Sequence, residues 1–156
     1  MITCEIPPIR MLVLTLNGRC NFKCLYCYAS EQDPVDMTEE TAIAAVALAH
    51  VSKNQFLLQF SGGEPLLQFP LIRKVVDFVE KNHVNAQMQI QTNGALLTKD
   101  IGKWLFDHNV GIGISCDGRP ELMNSLRVSK DGDRSSQKVI QAFQNLGEVN
   151  IEAGIT

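Results

Sequence analysis

The chain has 156 residues, of which 45% are hydrophobic, and a formal net charge of −3. That length suits one domain, 1–156, large enough to bury roughly 70% of its unfolded surface without disulfides. Lys and Arg are scattered on a mildly acidic background, which argues against a nucleic-acid partner. No apolar run reaches the roughly 18 residues of a membrane span.

The opening "MITCEIPPIRMLVLTLNGRC" has no basic region ahead of its apolar run and no small-residue cleavage site, so it does not read as a signal peptide. The expectation is a cytoplasmic chain, in which five cysteines point to metal or redox chemistry rather than disulfides. In chain order, "RMLVLTLN" (10–17) suits a strand buried on both faces. The stretch "GRCNFKCLYC" (18–27) follows, with Cys20, Cys24 and Cys27 on one loop. "MTEETAIAAVALAHV" predicts a helix with Thr38 as N-cap and Glu39 and Glu40 favourably placed in its first turn.

"QFLLQF" (55–60) predicts a second strand, ended by "SGGEP". Pro70 can open a helix with Leu71, Val75 and Val79 on one stripe and Ile72 and Val76 beside it. "AQMQIQT" (86–92) predicts a third strand closed by Asn93-Gly94, and "TKDIGKWLFDHN" a helix capped by Thr98, with Trp104 and Phe106 in the core. "VGIGIS" (110–115) predicts a fourth strand. After a polar stretch, 117–134, "SSQKVIQAFQNL" predicts a helix capped by Ser135 or Ser136, and "VNIEAGIT" a fifth strand with Ile151, Ala153 and Ile155 on one face.

Strictly alternating strands and helices predict an α/β fold with a parallel sheet covered by helices. Such sheets bind ligands at the carboxyl ends of their strands, whether open or closed into a barrel. The unusual residues fall there: the cysteine loop, "SGGEP", "TNG" and "SCDG" each follow one strand.

Three thiolates on one loop suit an iron–sulfur cluster with one iron left open. The alternative is zinc, which needs a fourth ligand for a closed shell, from Cys4, Cys116, His50, His83 or His108. Gly62 and Gly63 let backbone approach a ligand, or simply form a strand-to-helix turn. Glu64 can meet an ammonium group. Ser115 and Asp117, two apart, share one face if the strand continues and suit a polyol or carboxylate ligand, while Cys116 on the opposite face suits packing. Asn93-Gly94 reads mainly as a turn pair. Arg127 is a carboxylate clamp or a solvated charge, and Tyr26 and Tyr28 flank the last cysteine, where they would shield a cluster or touch a planar ring.

Cys20-x3-Cys24-x2-Cys27, with an aromatic before the last cysteine, and Gly62-Gly63-Glu64-Pro65 resemble the radical S-adenosylmethionine (SAM) superfamily. "FSGGEPLL", "QTNGALLT" and "GISCDGRPELMNSLR" look like its peptide- and protein-modifying subgroup, which includes anaerobic sulfatase-maturating enzymes. The resemblance implies a partial (β/α) TIM-like barrel with about five parallel strands present and the sixth unit missing, and an oxidoreductase that uses a [4Fe–4S] cluster and SAM. Cys20, Cys24 and Cys27 would hold the cluster, whose free iron takes the amino and carboxylate groups of SAM. One electron then cleaves the sulfonium to methionine and a 5′-deoxyadenosyl radical. By position, Tyr26 would approach the adenine; Gly62, Gly63 and Glu64 would hold the SAM amino group. Ser115 would serve the ribose or carboxylate side, and Arg127 the carboxylate, with Asp117 as neighbour. A peptide or protein substrate and a reductant such as flavodoxin or ferredoxin are the implied partners. The competing readings are a non-catalytic module holding zinc or a structural cluster, and an inactive truncated fragment.

Overall fold

The computed structural model describes residues 7–29 and 33–156; Cys4 lies outside them. Five strands form one parallel sheet: β1 (Met11–Thr15), β3 (Phe56–Ser61), β4 (Ala86–Thr92), β5 (Val110–Ile114) and β7 (Gly154–Ile155). They lie side by side in that same order. A strand order that never reverses, joined by right-handed crossovers, puts every crossover helix on the same side of the sheet, as in a TIM-like barrel. Those helices are α1 (Glu39–His50), α2 (Phe69–Lys81), α3 (Lys99–Asp107) and α5 (Ser135–Gly147).

The register aligns Leu14, Phe60 and Ile90 across β1, β3 and β4, and Ile112 continues the row on β5. These residues are buried, and they meet Val46, Ile72, Val75, Val76 and Leu105 of the helices in one apolar cluster. Thr38 caps α1 by accepting the Thr41 N–H, and Thr98 caps α3 by accepting the Ile101 N–H, each at 3.2 Å. Leu71, Ile72, Val75, Val76 and Val79 form the buried stripe of α2 as their spacing predicts. No helix among the described residues is long and apolar enough to cross a membrane.

Several expectations change. β1 is covered on one face only: Leu14 is buried, whereas Met11 and Val13 are 49% and 44% exposed, because all the helices lie on the other side. Trp104 is partly buried against Phe69, but Phe106 is 59% exposed; it falls on the outer face of α3, where Leu105 faces inward. α5 is not capped by Ser135 or Ser136. Its first turn is buried against the preceding helix, so Asn124 Oδ1 accepts the Ser136 N–H at 3.1 Å and Ser135 Oγ donates to the Met123 carbonyl at 3.0 Å. In "VNIEAGIT" only Gly154–Ile155 is strand; Ile151 turns into the core just after Asn150, which has a left-handed φ of 55°.

The polar stretch 117–134 contains a short helix, α4 (Pro120–Leu126), and a strand, β6 (Arg127–Ser129). β6 pairs antiparallel with β2 (Phe22–Cys24), setting Cys24 opposite Arg127. This two-stranded ribbon ties the cysteine loop to the loop after β5.

Replacing Phe60 by Ala should destabilise the fold by about 3–5 kcal/mol, the range for a fully buried aromatic. Phe106→Ala should stay within about 0.5 kcal/mol of wild type, as a surface change does. Urea unfolding of the two variants checks both values.

Candidate functional site

Parallel strands point one way, so the turns after β1, β3, β4 and β5 emerge along one edge of the sheet. The cysteine loop spans that edge. Cys27 N–H donates to the Cys24 carbonyl at 3.2 Å, and the ribbon with β6 fixes its other end: Leu25 N–H donates to the Leu126 carbonyl at 2.8 Å, and Lys130 N–H to the Asn21 carbonyl at 3.0 Å. Cys20, Cys24 and Cys27 line one cavity of about 290 Å³ together with Gly63, Lys23 and Lys130.

Two glycines hold the loop against β3. Gly63 N–H donates to the Asn17 carbonyl at 2.9 Å and Glu64 N–H to the Arg19 carbonyl at 2.8 Å. A Cβ on Gly63 would lie 2.2 Å from the Arg19 carbonyl oxygen, and one on Gly62 2.6 Å from that of Asn17; Gly62 also has φ +136°. The close approach that requires these glycines is therefore loop backbone against loop backbone. Asn17, which sequence reading passed over, is buried and donates from Nδ2 to the Glu64 carbonyl at 3.0 Å. Arg19 closes the outer side by a bidentate pair with Asp36, its Nη2 at 2.6 and 2.8 Å from the two oxygens.

The Glu64 side chain turns inward and is wholly buried. Its carboxylate accepts the Leu66 N–H at 3.0 Å, the Thr92 hydroxyl at 2.7 Å and the Asn93 N–H at 2.8 Å. The sequence expectation set this carboxylate facing a ligand's ammonium; in the structure it faces protein donors. Burial pushes its pKa up, against the hydrogen bonds from Thr92, Asn93 and Leu66.

At the other end of the edge, Tyr26, Asp117 and Arg127 meet. Tyr26 hydroxyl donates to the Asp117 carboxylate at 2.8 and 2.9 Å, Arg127 Nε donates to it at 2.6 Å, and the Arg127 guanidinium sits 5.9 Å from the Tyr26 ring centre. Burial, then the Asp117 hydrogen bond, push the Tyr26 phenol up to about 12. Burial lowers the Arg127 pKa, but the pair with Asp117 and the neighbouring acids outweigh it, so the guanidinium stays charged. Ser115 Oγ, nearby, accepts Gln91 Nε2 at 3.0 Å. β5 ends at Ile114, so the strand alternation expected of Ser115, Cys116 and Asp117 does not apply, but Cys116 is partly buried with its thiol 3.7 Å from Met123 Sδ, a packing position. Tyr28 is 89% exposed.

The donor set fits a cluster better than a closed zinc shell. Among the described residues no three His, Cys, Asp or Glu side chains are gathered as a single metal ion would need, whereas the three thiols line the wall of one larger cavity. His50, His83 and His108 all sit at or just after helix C-termini, which in this topology lie at the far end of the sheet from the cysteine loop. His108 there pairs with Glu80. Soft thiolates from a single loop, with no histidine at hand, are the ligand type of iron–sulfur centres.

Glu64→Ala would strand the Leu66 and Asn93 N–H groups without acceptors, at roughly 1–3 kcal/mol each; chemical unfolding should show the loss. A second outcome concerns pH. Glu64's folded pKa lies above its unfolded value, so its contribution is fully present below the unfolded pKa and is lost as pH rises through the folded one. Glu64→Gln should flatten that part of the stability profile measured from roughly pH 4 to pH 8.

Comparison with known proteins follows the same outline. The Radical SAM superfamily model matches residues 14–156. An uncharacterized protein of Methanocaldococcus jannaschii is 38% identical over 150 residues, which cover 95% of this chain and 52% of that protein. A cysteine-type anaerobic sulfatase-maturating enzyme of Clostridium perfringens is 28% identical over 96% of this chain and 44% of its own length. The solved structure of anSMEcpe with bound AdoMet superposes with a TM-score of 0.85 at 26% identity, covering 96% of this chain and 43% of that one. The chain thus spans about half, or less, of the length of these relatives. A match that runs from β1 to the last residue and takes in every loop of the cysteine edge places the chain in the radical SAM superfamily.

Proposed function

We propose that this chain is the SAM-cleaving core of an enzyme that modifies a peptide or protein. The observation that carries the reading is that Cys20, Cys24 and Cys27 line one cavity, with Gly18, Phe22, Lys23, Ala29, Gly63 and Lys130 forming the rest of its wall. Bound there, a [4Fe–4S] cluster would supply one electron to the sulfonium of SAM, yielding methionine and a 5′-deoxyadenosyl radical that takes a hydrogen from substrate.

The chain's own residues would bind and orient. Gly62 and Gly63 present backbone toward the SAM amino group, and Glu64 acts on it by fixing the turn from beneath. Arg127 commits its Nε to Asp117, leaving its Nη groups for a carboxylate. Asp117 holds Tyr26 and Arg127 in one fixed relation, so the Tyr26 ring stands ready for the adenine while Ser115 faces the ribose or carboxylate side. Lys23 and Lys130 offset the negative charge of thiolates in the cavity. A peptide substrate is favoured because related proteins are named sulfatase-maturating enzymes and anSMEcpe was solved with bound AdoMet and a Cp18Cys peptide. The electron would come from a flavodoxin- or ferredoxin-like reductant.

Anaerobic reconstitution with iron and sulfide tests the reading. Wild type and Cys116→Ala should take up about four irons per chain and turn brown. Ala at Cys20, Cys24 or Cys27 should lose most of the iron, and with it any 5′-deoxyadenosine made from SAM and a reductant. A colourless, zinc-loaded wild type would replace the enzyme by a metal-binding module.

A further inference from the structure

The turn after β4 reads in sequence as Asn-Gly turn chemistry, and Gly94, at φ +81°, supplies it. Asn93 has a second role that a turn does not need. It is 8% exposed, and its amide orientation is fixed from both sides. Its Oδ1 accepts the Ala95 N–H at 2.9 Å, so Nδ2 must point the other way. There its two hydrogens meet Asn21 Oδ1 at 2.7 Å and Cys20 Sγ at 3.6 Å. Its backbone N–H is held by the buried Glu64 carboxylate at 2.8 Å. The Phe22 N–H reaches the same sulfur at 3.3 Å. Among the described residues, Cys20 is the one cysteine of the three whose sulfur accepts hydrogen bonds.

We propose that Asn93 is a side-chain hydrogen-bond donor to the Cys20 thiolate and sets the reduction potential of the cluster that this thiolate helps to hold. The proposal rests on the cluster assignment made above. Hydrogen bonds to ligating sulfurs are among the levers that set iron–sulfur potentials, and partners beyond the ligands are a general means of tuning a metal site. When one electron passes from a flavodoxin- or ferredoxin-like donor, that donor is oxidised by one electron and the site gains one negative charge. An N–H aimed at a ligating sulfur stabilises the added charge, so it favours the reduced state. The Phe22 N–H belongs to the backbone and is the same for any side chain. Asn93 is the donor that a substitution can change. Glu64 stands behind it, holding the residue so that Nδ2 stays on the sulfur.

The test is a redox titration followed by electron paramagnetic resonance on the reconstituted chain, comparing wild type, Asn93→Ala and Asn93→Asp, with iron content and circular dichroism measured on the same samples. Asn93→Asp keeps an oxygen for the Ala95 N–H, so it retains the turn if the alanine variant folds poorly. Both variants should keep iron and show a more negative midpoint potential, further displaced for Asn93→Asp because it sets a carboxylate beside the thiolate. Iron retained with an unchanged or more positive potential overturns the proposal while leaving the cluster assignment intact. Loss of iron from both folded variants also overturns it, since Asn93 would then be a support for the loop. A wild-type chain that takes up no iron overturns the cluster assignment itself, and the proposal with it.

Discussion

Burying a carboxylate is tolerable only where donors meet it, and the donors that meet Glu64 come from two separate turns. Leu66 belongs to the turn after β3; Thr92 and Asn93 belong to the end of β4 and the turn after it. One side chain therefore fixes the spacing of neighbouring strand ends. The same residue's main chain grips the cysteine loop through Arg19 and Asn17. Remove that anchor and three turns lose their common reference. The glycines before it answer the same need, because any side chain at Gly63 would collide with the loop that Glu64 holds.

The charged end of the site follows a different logic. Arg127 and Asp117 form a largely buried ion pair, an arrangement whose net stabilisation is small once desolvation is counted. Its value is positional. Tyr26 comes from the cysteine loop, Asp117 from the loop after β5 and Arg127 from β6, and all three meet at one carboxylate. Because β6 pairs with β2, the residue that carries the guanidinium is also the backbone partner of Cys24. The thiol-lined cavity and the charged corner are thus built on the same short ribbon. A displacement of one moves the other.

Much of this was legible in the residues. Short apolar runs and helical patterns located the longer sheet strands and the crossover helices, and polar side chains at helix starts located the caps at Thr38 and Thr98, because those signals are local. The cysteine spacing marked the loop for the same reason. What stayed hidden depends on contacts between distant segments. β2 and β6 are three residues each, too short to show a period, and exist because they pair with one another. Asn17 carries no motif, and Thr92 was marked only as part of "TNG"; the structural role of both comes from Glu64 lying beside them. The inward turn of Glu64 itself was not readable, since a carboxylate after two glycines suits a ligand as well as a buried anchor. Phe106 was placed inside on hydrophobicity alone, whereas the face of α3 on which it falls decides its exposure.

The ribbon between β2 and β6 has a consequence for how the molecule is made. Its strands are roughly a hundred residues apart in sequence, a contact of high order that forms only after a large loop is closed. During synthesis the cysteine loop leaves the ribosome roughly a hundred residues before the segment that shapes its far side, Arg127–Ser129. Until then the three thiols belong to a chain with no fixed geometry, open to stray oxidation and to the wrong metal. The far side of the thiol-lined cavity therefore takes its shape only once that distant strand has arrived.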